Sequence, residues 1–398
     1  MKTSVYLMMF LGSLTSAGVL VFASPNETNL AATANNDLAF SLYSQISRKP
    51  GNLVLSPISI ATTLAMIHSG ACGSTARELR TALHLPDGLT NSDDWLAPFL
   101  RQVPTTTKQQ VLFVANSVWV QQGWPLRTQF SAIVQRDYDA LMQPINFDDP
   151  DASAQIDSWV SKATRGKILH LAGGSGIRSD MRLIVANAIY FKGAWLDGFD
   201  PHRTAEVPFH SGAHESRPIP TMRKRGVFLY ATNETIQAIQ LPYEDTLSML
   251  ILLPVHEASF REVEKSLTNK ELRRILGSMK SQEVEVWLPR FACSSEESLR
   301  EVLRSFGVRD VFSPTRADLC GISDKSGLYL RTVLHSAFLT VDEWGSEAAS
   351  ATTGFLALGE VPPLFKADHP FVFFILDNVS HAIIFMGRIS DPSSAKEP

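Results

Sequence analysis

Glu343-Trp344-Gly345-Ser346-Glu347-Ala348-Ala349-Ser350-Ala351-Thr352-Thr353-Gly354 is a run of mostly small side chains with almost no apolar anchor. It follows a strand-like Phe338-Leu339-Thr340-Val341. After it come Phe355, Leu356 and Leu358, then Pro362-Pro363, then a second apolar run from Phe371. Hairpin loops have about two to five residues, and a connection this long in a compact domain is usually functional or disordered. Strand side chains alternate between two faces. One face of this segment would carry Ser346, Ala348, Ser350, Thr352, Gly354, Leu356 and Leu358, with no charge and no bulk until the far end. The other would carry Glu347, Ala349, Ala351, Thr353, Phe355 and Ala357. Such a segment can stay outside as a loop, or enter a sheet as a central strand that buries the first face. At a net ~1 kcal/mol per hydrogen bond, a dozen inserted residues would release on the order of 10–20 kcal/mol. Composition alone leaves both fates open.

Around this stretch the pattern is mixed. Asn35 to Ile46 has near-helical apolar spacing at Leu38, Phe40, Leu42 and Ile46. Ser56-Pro57 opens a second helix, with a capping residue and then Pro in the first turn, running from Ile58 to Ser69 and ended by Gly70. Ser74-Thr75 with Glu78 reads as a capping box for a third helix through Leu83. Strands are predicted at Val111 to Val120, Leu183 to Phe191, Ile236 to Leu241, Leu247 to Leu253, Val284 to Leu288, Phe371 to Ile375 and Ala382 to Phe385. Further helices are predicted at Phe260 to Leu276 and Ser295 to Phe306. Helices first and strands later indicate an α+β domain with largely antiparallel sheets.

Composition narrows the function. The 398 residues hold 36 Lys+Arg against 40 Asp+Glu, a formal net charge of −4. That balance argues against a general nucleic-acid or polyanion binder. Three Cys cannot form a disulfide scaffold in so long a chain. The set is odd, so at least one thiol is free or pairs with another chain. The expectation for Cys72, Cys293 and Cys320 is buried free thiols. Residues 1–23 read as a secretory signal: Lys2, an apolar run from Val5 to Val21, and Val21-Phe22-Ala23 before the cut. No later stretch reaches the length of a spanning helix. Residues 24–398 are then one domain, secreted and not membrane-bound. The sequons at Asn26, Asn233 and Asn378 suit that compartment. No nucleophile elbow, zinc-protease motif or phosphate-binding glycine pattern is present, so no enzyme, metal or cofactor is expected.

Several long motifs carry a resemblance. They are Asn52-Leu53-Val54-Leu55-Ser56-Pro57-Ile58-Ser59-Ile60, Asn187-Ala188-Ile189-Tyr190-Phe191-Lys192-Gly193-Ala194-Trp195, Leu288-Pro289-Arg290-Phe291, His369-Pro370-Phe371-Val372-Phe373 and Phe385-Met386-Gly387-Arg388, together with the opening run. With these the chain resembles the serpins, the serine protease inhibitors, over essentially its whole mature length. The resemblance implies helices around three mostly antiparallel β-sheets and an exposed reactive-centre loop, about 343–365. A target protease would cleave this loop, stay acyl-bound, and be carried along as the loop inserts into the central sheet. Carried over by position, the hinge is Glu343, Gly345, Ser346, Glu347, Ala348, Ala349, Ser350, Ala351 and Thr352. The region where the sheet parts is Ser56, Ser59, Asn187 and His335, with Trp195 over its top. Arg290 and Glu343 fall on an ion pair at the loop base, which alone would be a surface pair worth roughly 0–1 kcal/mol. Trp344 departs from the smaller or polar residue usual there, which bears on the mobility of the loop base.

The small hinge residues favour an inhibitor. The rival is a non-inhibitory relative acting as a carrier, storage or chaperone protein, and cross-class inhibition of a cysteine protease is a third reading. Counting from Gly345 and from Pro370 places the scissile bond at Gly359–Glu360, and Leu358–Gly359 is the alternative. No Lys or Arg occurs from Trp344 to Phe365, so an elastase- or chymotrypsin-like target is expected rather than a trypsin-like one, which needs a basic side chain. Met222-Arg223-Lys224-Arg225 is a short basic run that reads as a solvated strand or turn. A monomer without strong heparin dependence is expected.

Overall fold

The computed structural model describes residues 25–85, 99–100, 111–171, 177, 180–212, 215–344 and 361–394. The signal segment, the hinge from Gly345 to Thr352, both candidate scissile bonds and the Asn26 side chain lie outside the described residues.

Two sheets form the frame. One has five strands in the order β10 (Phe291–Ser298), β11 (Leu330–Val341), β4 (Leu183–Lys192), β2 (Val111–Gln121) and β3 (Ala140–Ile145). The other runs β1 (Leu53–Leu55), β14 (Ile383–Ile389), β13 (Phe371–Asp377), β8 (Leu247–Pro254), β7 (Ile236–Pro242), β6 (Glu215–Thr232), β9 (Lys280–Pro289) and β12 (Leu364–Lys366), with β5 (Ala205–Gly212) on β6. Where the resemblance implies three sheets, the strand pairing gives two networks, because β6 is 18 residues long and pairs with both β7 and β9. Most pairings are antiparallel, as an α+β domain requires. Eight α-helices are described: α1 (Pro25–Ile46), α2 (Pro57–His68), α3 (Gly73–Ala82), α4 (Thr128–Tyr138), α5 (Ala152–Ala163), α6 (Phe260–Ser266), α7 (Asn269–Ser278) and α8 (Arg300–Ser305).

Helix α2 runs through the core. Every residue from Pro57 to His68 is buried, as a helix without charge before His68 must be. Ser56 caps it, accepting from the Ser59 amide at 3.4 Å, with Pro57 in the first turn. Arg388 is buried, yet its guanidinium donates to the carbonyls of Gly51, Ser47 and Lys49 and to Glu264 Oε1 at 2.6 Å. Tyr43 donates to the same carboxylate at 2.9 Å. Arg388 thus ties β14 to the exit of α1. Gly387 is required beside it, since a Cβ there would lie 2.1 Å from the Leu53 carbonyl oxygen.

Several expectations change. Helix α1 begins at Pro25 rather than near Asn35, with small Ala31, Ala32 and Ala34 buried in its first half. The helix expected over Phe260 to Leu276 breaks at Leu267, because Thr268 caps a new helix by accepting from the Glu271 amide. Ser295 to Ser298 are strand, paired with Ala337 to Leu334, and only Arg300–Ser305 is helical. The capping box at Ser74-Thr75-Glu78 does not form. Thr75 Oγ1 instead accepts from the Asp318 amide, and Glu78 Oε2 from the amides of Arg309 and Asp310.

The cysteine expectation is corrected as well. Cys72 and Cys320 form a disulfide, and only Cys293 is a buried free thiol. Sequence spacing gave no hint of this, because 248 residues separate the pair. The bond joins the α2–α3 turn to the segment leading into β11. Burial pushes the Cys293 thiol up to about 12, which leaves it unreactive.

Closing so long a loop should add about 2–5 kcal/mol. We expect thiol titration of the unfolded, unreduced chain to give one reactive group, and Cys72→Ser to lower Tm by several degrees. Three titratable thiols would contradict the bond.

Candidate functional site

Strands β4 and β11 lie side by side and parallel, in continuous register from Thr332↔Ile184 to Leu339↔Phe191 after an irregularity at Leu330. Each is antiparallel to its outer neighbour, β2 and β10 respectively. Both run toward the end of the molecule where β11 passes into Asp342, Glu343 and Trp344. A chain that turns back at the end of β11 runs antiparallel to β11, and hence also to β4. A strand entering this seam would therefore replace one parallel pairing with two antiparallel ones, the slightly more stable kind.

A buried polar cluster crosses the seam. His335 and Asn187 are register partners, and His335 Nδ1 lies 3.0 Å from Asn187 Oδ1. The Ser56 amide donates to His335 Nε2 at 3.3 Å, so Nδ1 carries the proton and donates to Asn187. Ser59 Oγ donates to the same Asn187 oxygen at 2.7 Å. Ser56 Oγ donates to the Ile384 carbonyl. On the far side Asn187 Nδ2 donates to Asn116 Oδ1 at 2.7 Å, and Asn116 Nδ2 to the Tyr138 carbonyl at 3.0 Å. The four residues expected at the parting sheet are thus assembled, all buried. If the seam parts, the His335–Asn187 bond breaks, while His335 can keep Ser56 and Asn187 can keep Ser59 and Asn116. Asn116 was missed from sequence. Its one sequence signal is a polar residue interrupting the apolar run of β2, and only the register shows that it lies opposite Asn187.

The top of the seam is held separately. The Trp195 indole stacks on Tyr243 at 4.3 Å between ring centres, meets Phe199 edge-on, and donates to the Asp342 carbonyl at 2.8 Å. It therefore sits against the end of β11, where the strand passes into Asp342. Lys192 pairs with Asp342 at 2.7 Å. Arg290 meets Glu343 at 2.5 Å, Thr204 donates to the same carboxylate, and the Phe199 amide donates to the Glu343 carbonyl. The Glu343 side chain is 1% exposed against 45% for Arg290. The expected surface pair is therefore half-buried, with its carboxylate inside. Burial alone would raise the Glu343 carboxyl, but hydrogen bonds from Arg290 and Thr204 outweigh it and hold it below the usual carboxylate range. Trp344 beyond it is exposed, so its bulk does not wedge the loop base into the sheet.

The remaining candidates lie elsewhere. Asn233 and Asn378 are exposed in turns. Asn233 Oδ1 accepts from the Thr235 hydroxyl at 2.9 Å. Among the described residues Cys72, Asp318 and Cys320 bring three ligand atoms within 4.8 Å, but both sulfurs are committed to the disulfide. Lys224, expected in a solvated run, is buried and bound to Asp197.

Burial pushes the His335 imidazole down to about 3, from an ordinary 6.5. Between those values the unfolded chain binds the extra proton and the folded chain does not. This contribution to stability is therefore intact above about pH 6.5 and is lost as pH falls toward 3. His335→Gln, which does not titrate, should flatten that part of the stability–pH curve, and equal slopes would contradict the assignment. Asn187→Ala orphans three buried partners and should cost about 2–4 kcal/mol, read from the urea midpoint.

Comparison with known proteins agrees with this architecture. The family model described as "Serpin (serine protease inhibitor)" matches residues 33–392. Human serpin B9 is 37% identical over 86% of this chain and 93% of its own. The leukocyte elastase inhibitor of Sus scrofa is 34% identical over 91% of this chain and 99% of its own. The crystal structure of uncleaved ovalbumin superposes with a TM-score of 0.85 at 28% identity, covering 91% of this chain and 100% of that one. A mixed five-stranded sheet with a parallel central seam, matched over nearly its full length by this family, shows that the chain belongs to the serpins.

Proposed function

We propose that this protein is a secreted, single-use inhibitor of an elastase- or chymotrypsin-like serine protease. The protease cleaves the segment after Glu343, and the freed strand enters the seam between β4 and β11 with the acyl-enzyme attached. The observation that carries the reading is the seam itself: two parallel strands whose far end leads directly into the small-residue segment. Entry exchanges one parallel pairing for two antiparallel ones. The chain has no need of a nucleophile of its own, because the protease serine supplies the reacting group. What decides the outcome is whether insertion outruns hydrolysis of the acyl bond.

Other observations support the finer parts. The absence of Lys and Arg from Trp344 to Phe365 suits a target with an apolar pocket. The Cys72–Cys320 disulfide and the exposed Asn233 and Asn378 suit an oxidising, secretory route. The basic run of β6 is committed internally: Arg223 stacks over Trp287 at 3.9 Å, Lys224 pairs with Asp197, and Arg225 with Glu283. That leaves little of it for a polyanion and favours action as a monomer without a heparin bridge.

Incubation with elastase, chymotrypsin and trypsin tests the reading. A complex stable in SDS is expected with at least one of the first two and not with trypsin. The mass of the released C-terminal peptide should place the cut at Gly359–Glu360 or Leu358–Gly359. Ser346→Arg puts a charge on the inserting face, and should turn the inhibitor into a substrate, with complex yield falling at least tenfold. Complexes with trypsin alone, or undiminished complex with Ser346→Arg, would overturn the proposal.

A further inference from the structure

The seam between β4 and β11 has two faces. The polar cluster closes the face toward α2, where Val185, Asn187, Ile189 and Phe191 of β4 join the main core. On the opposite face, under α5, Ala186, Ala188 and Tyr190 of β4 and Leu334 and Phe338 of β11 form a second core. There Phe113 of β2, Tyr190 and Phe338 make a row of rings across three strands. The ring centres are 6.1 Å apart for Phe113–Tyr190, at 24° between planes, and 5.4 Å for Tyr190–Phe338, at 20°. The segment after α5 caps the row with two cations, Arg165 at 4.7 Å from the Phe113 ring centre and Lys167 at 5.7 Å from that of Tyr190.

Phe338 and Tyr190 are register partners across the seam. They stand three residues nearer the loop base than His335 and Asn187. An incoming strand would reach them before it reaches the polar cluster. Neighbouring strands are about 4.8 Å apart, so one inserted strand moves the partners to roughly 10 Å. The rings can no longer stack directly, and a small side chain of the incoming strand must sit between them. Only the Phe338–Tyr190 contact crosses the seam, and Phe113 with the Lys167 cation holds the Tyr190 ring in place to meet it.

We propose that the Phe338–Tyr190 stack, capped by Lys167, is a latch on the outer face of the seam that sets the rate at which a strand enters. This rests on the insertion reading above and adds the residues that time it. The latch keeps the sheet closed before cleavage.

The test uses a synthetic peptide with the sequence Ser346 to Leu358, added to the intact protein, with annealing followed by native electrophoresis. Phe338→Ala should anneal about three- to tenfold faster than wild type, the worth of one aromatic pair in a rate. Phe338→Leu keeps apolar volume without a ring and should show most of that gain. Lys167→Ala changes only an exposed side chain, so it keeps the test open if a Phe338 variant misfolds, and should give about a two- to fivefold gain. Annealing at one rate in wild type and all three variants overturns the latch and leaves the insertion reading standing. No annealing in any of them overturns the insertion reading, and the latch with it.

Discussion

The structure depends on one parallel pairing. In the five-stranded sheet β4 and β11 run the same way, and each is antiparallel to its neighbour on the other side. Parallel strands cannot be joined by a tight turn, so the chain leaves β4, builds much of the other sheet, and returns to β11 from the same end. That return places Glu343 at the top of the seam, with a strand-length segment of small residues following it. Everything singled out as functional is a device on this seam: a polar bond on its inner face, a ring stack on its outer face, and Trp195 with the Arg290–Glu343 pair at its mouth.

These devices are chemically different, and the difference matters. The polar cluster can divide along the His335–Asn187 bond and leave partners on both sides, so it costs little to open. The aromatic row has no such division and loses its contact outright. The mouth is anchored from outside the seam, because Glu343 is gripped by Arg290 and Thr204 while Trp195 holds the Asp342 carbonyl. A strand entering at the top therefore meets an anchored hinge first, then the rings, then the polar cluster.

Much of this was legible in the sequence, and the exceptions have physical reasons. Long apolar runs such as Leu183 to Phe191 and Phe371 to Ile375 read as strands because they are rich in β-branched and aromatic residues. Ser56-Pro57 marked a helix start that the structure keeps. Ser295 to Ser298 read as helical and is strand, since edge pairing with β11 outweighs local preference. The Cys72–Cys320 bond depends on a contact between residues 248 apart, and no local pattern encodes that. Asn187 and His335 were placed through resemblance, whereas Asn116 and the Phe113–Tyr190–Phe338 row required the register of three strands. Sequence periodicity shows which face a residue takes, not which residue it meets.

The central claim is that the seam takes up the segment that follows Glu343. Cutting that segment near Gly359 with a non-target protease and comparing thermal unfolding before and after tests it most directly. Insertion adds a central strand worth on the order of 10–20 kcal/mol, so Tm of the cleaved protein should rise by on the order of 20 °C or more. A cleaved protein that melts at the same temperature as the intact one, or below it, would contradict the account.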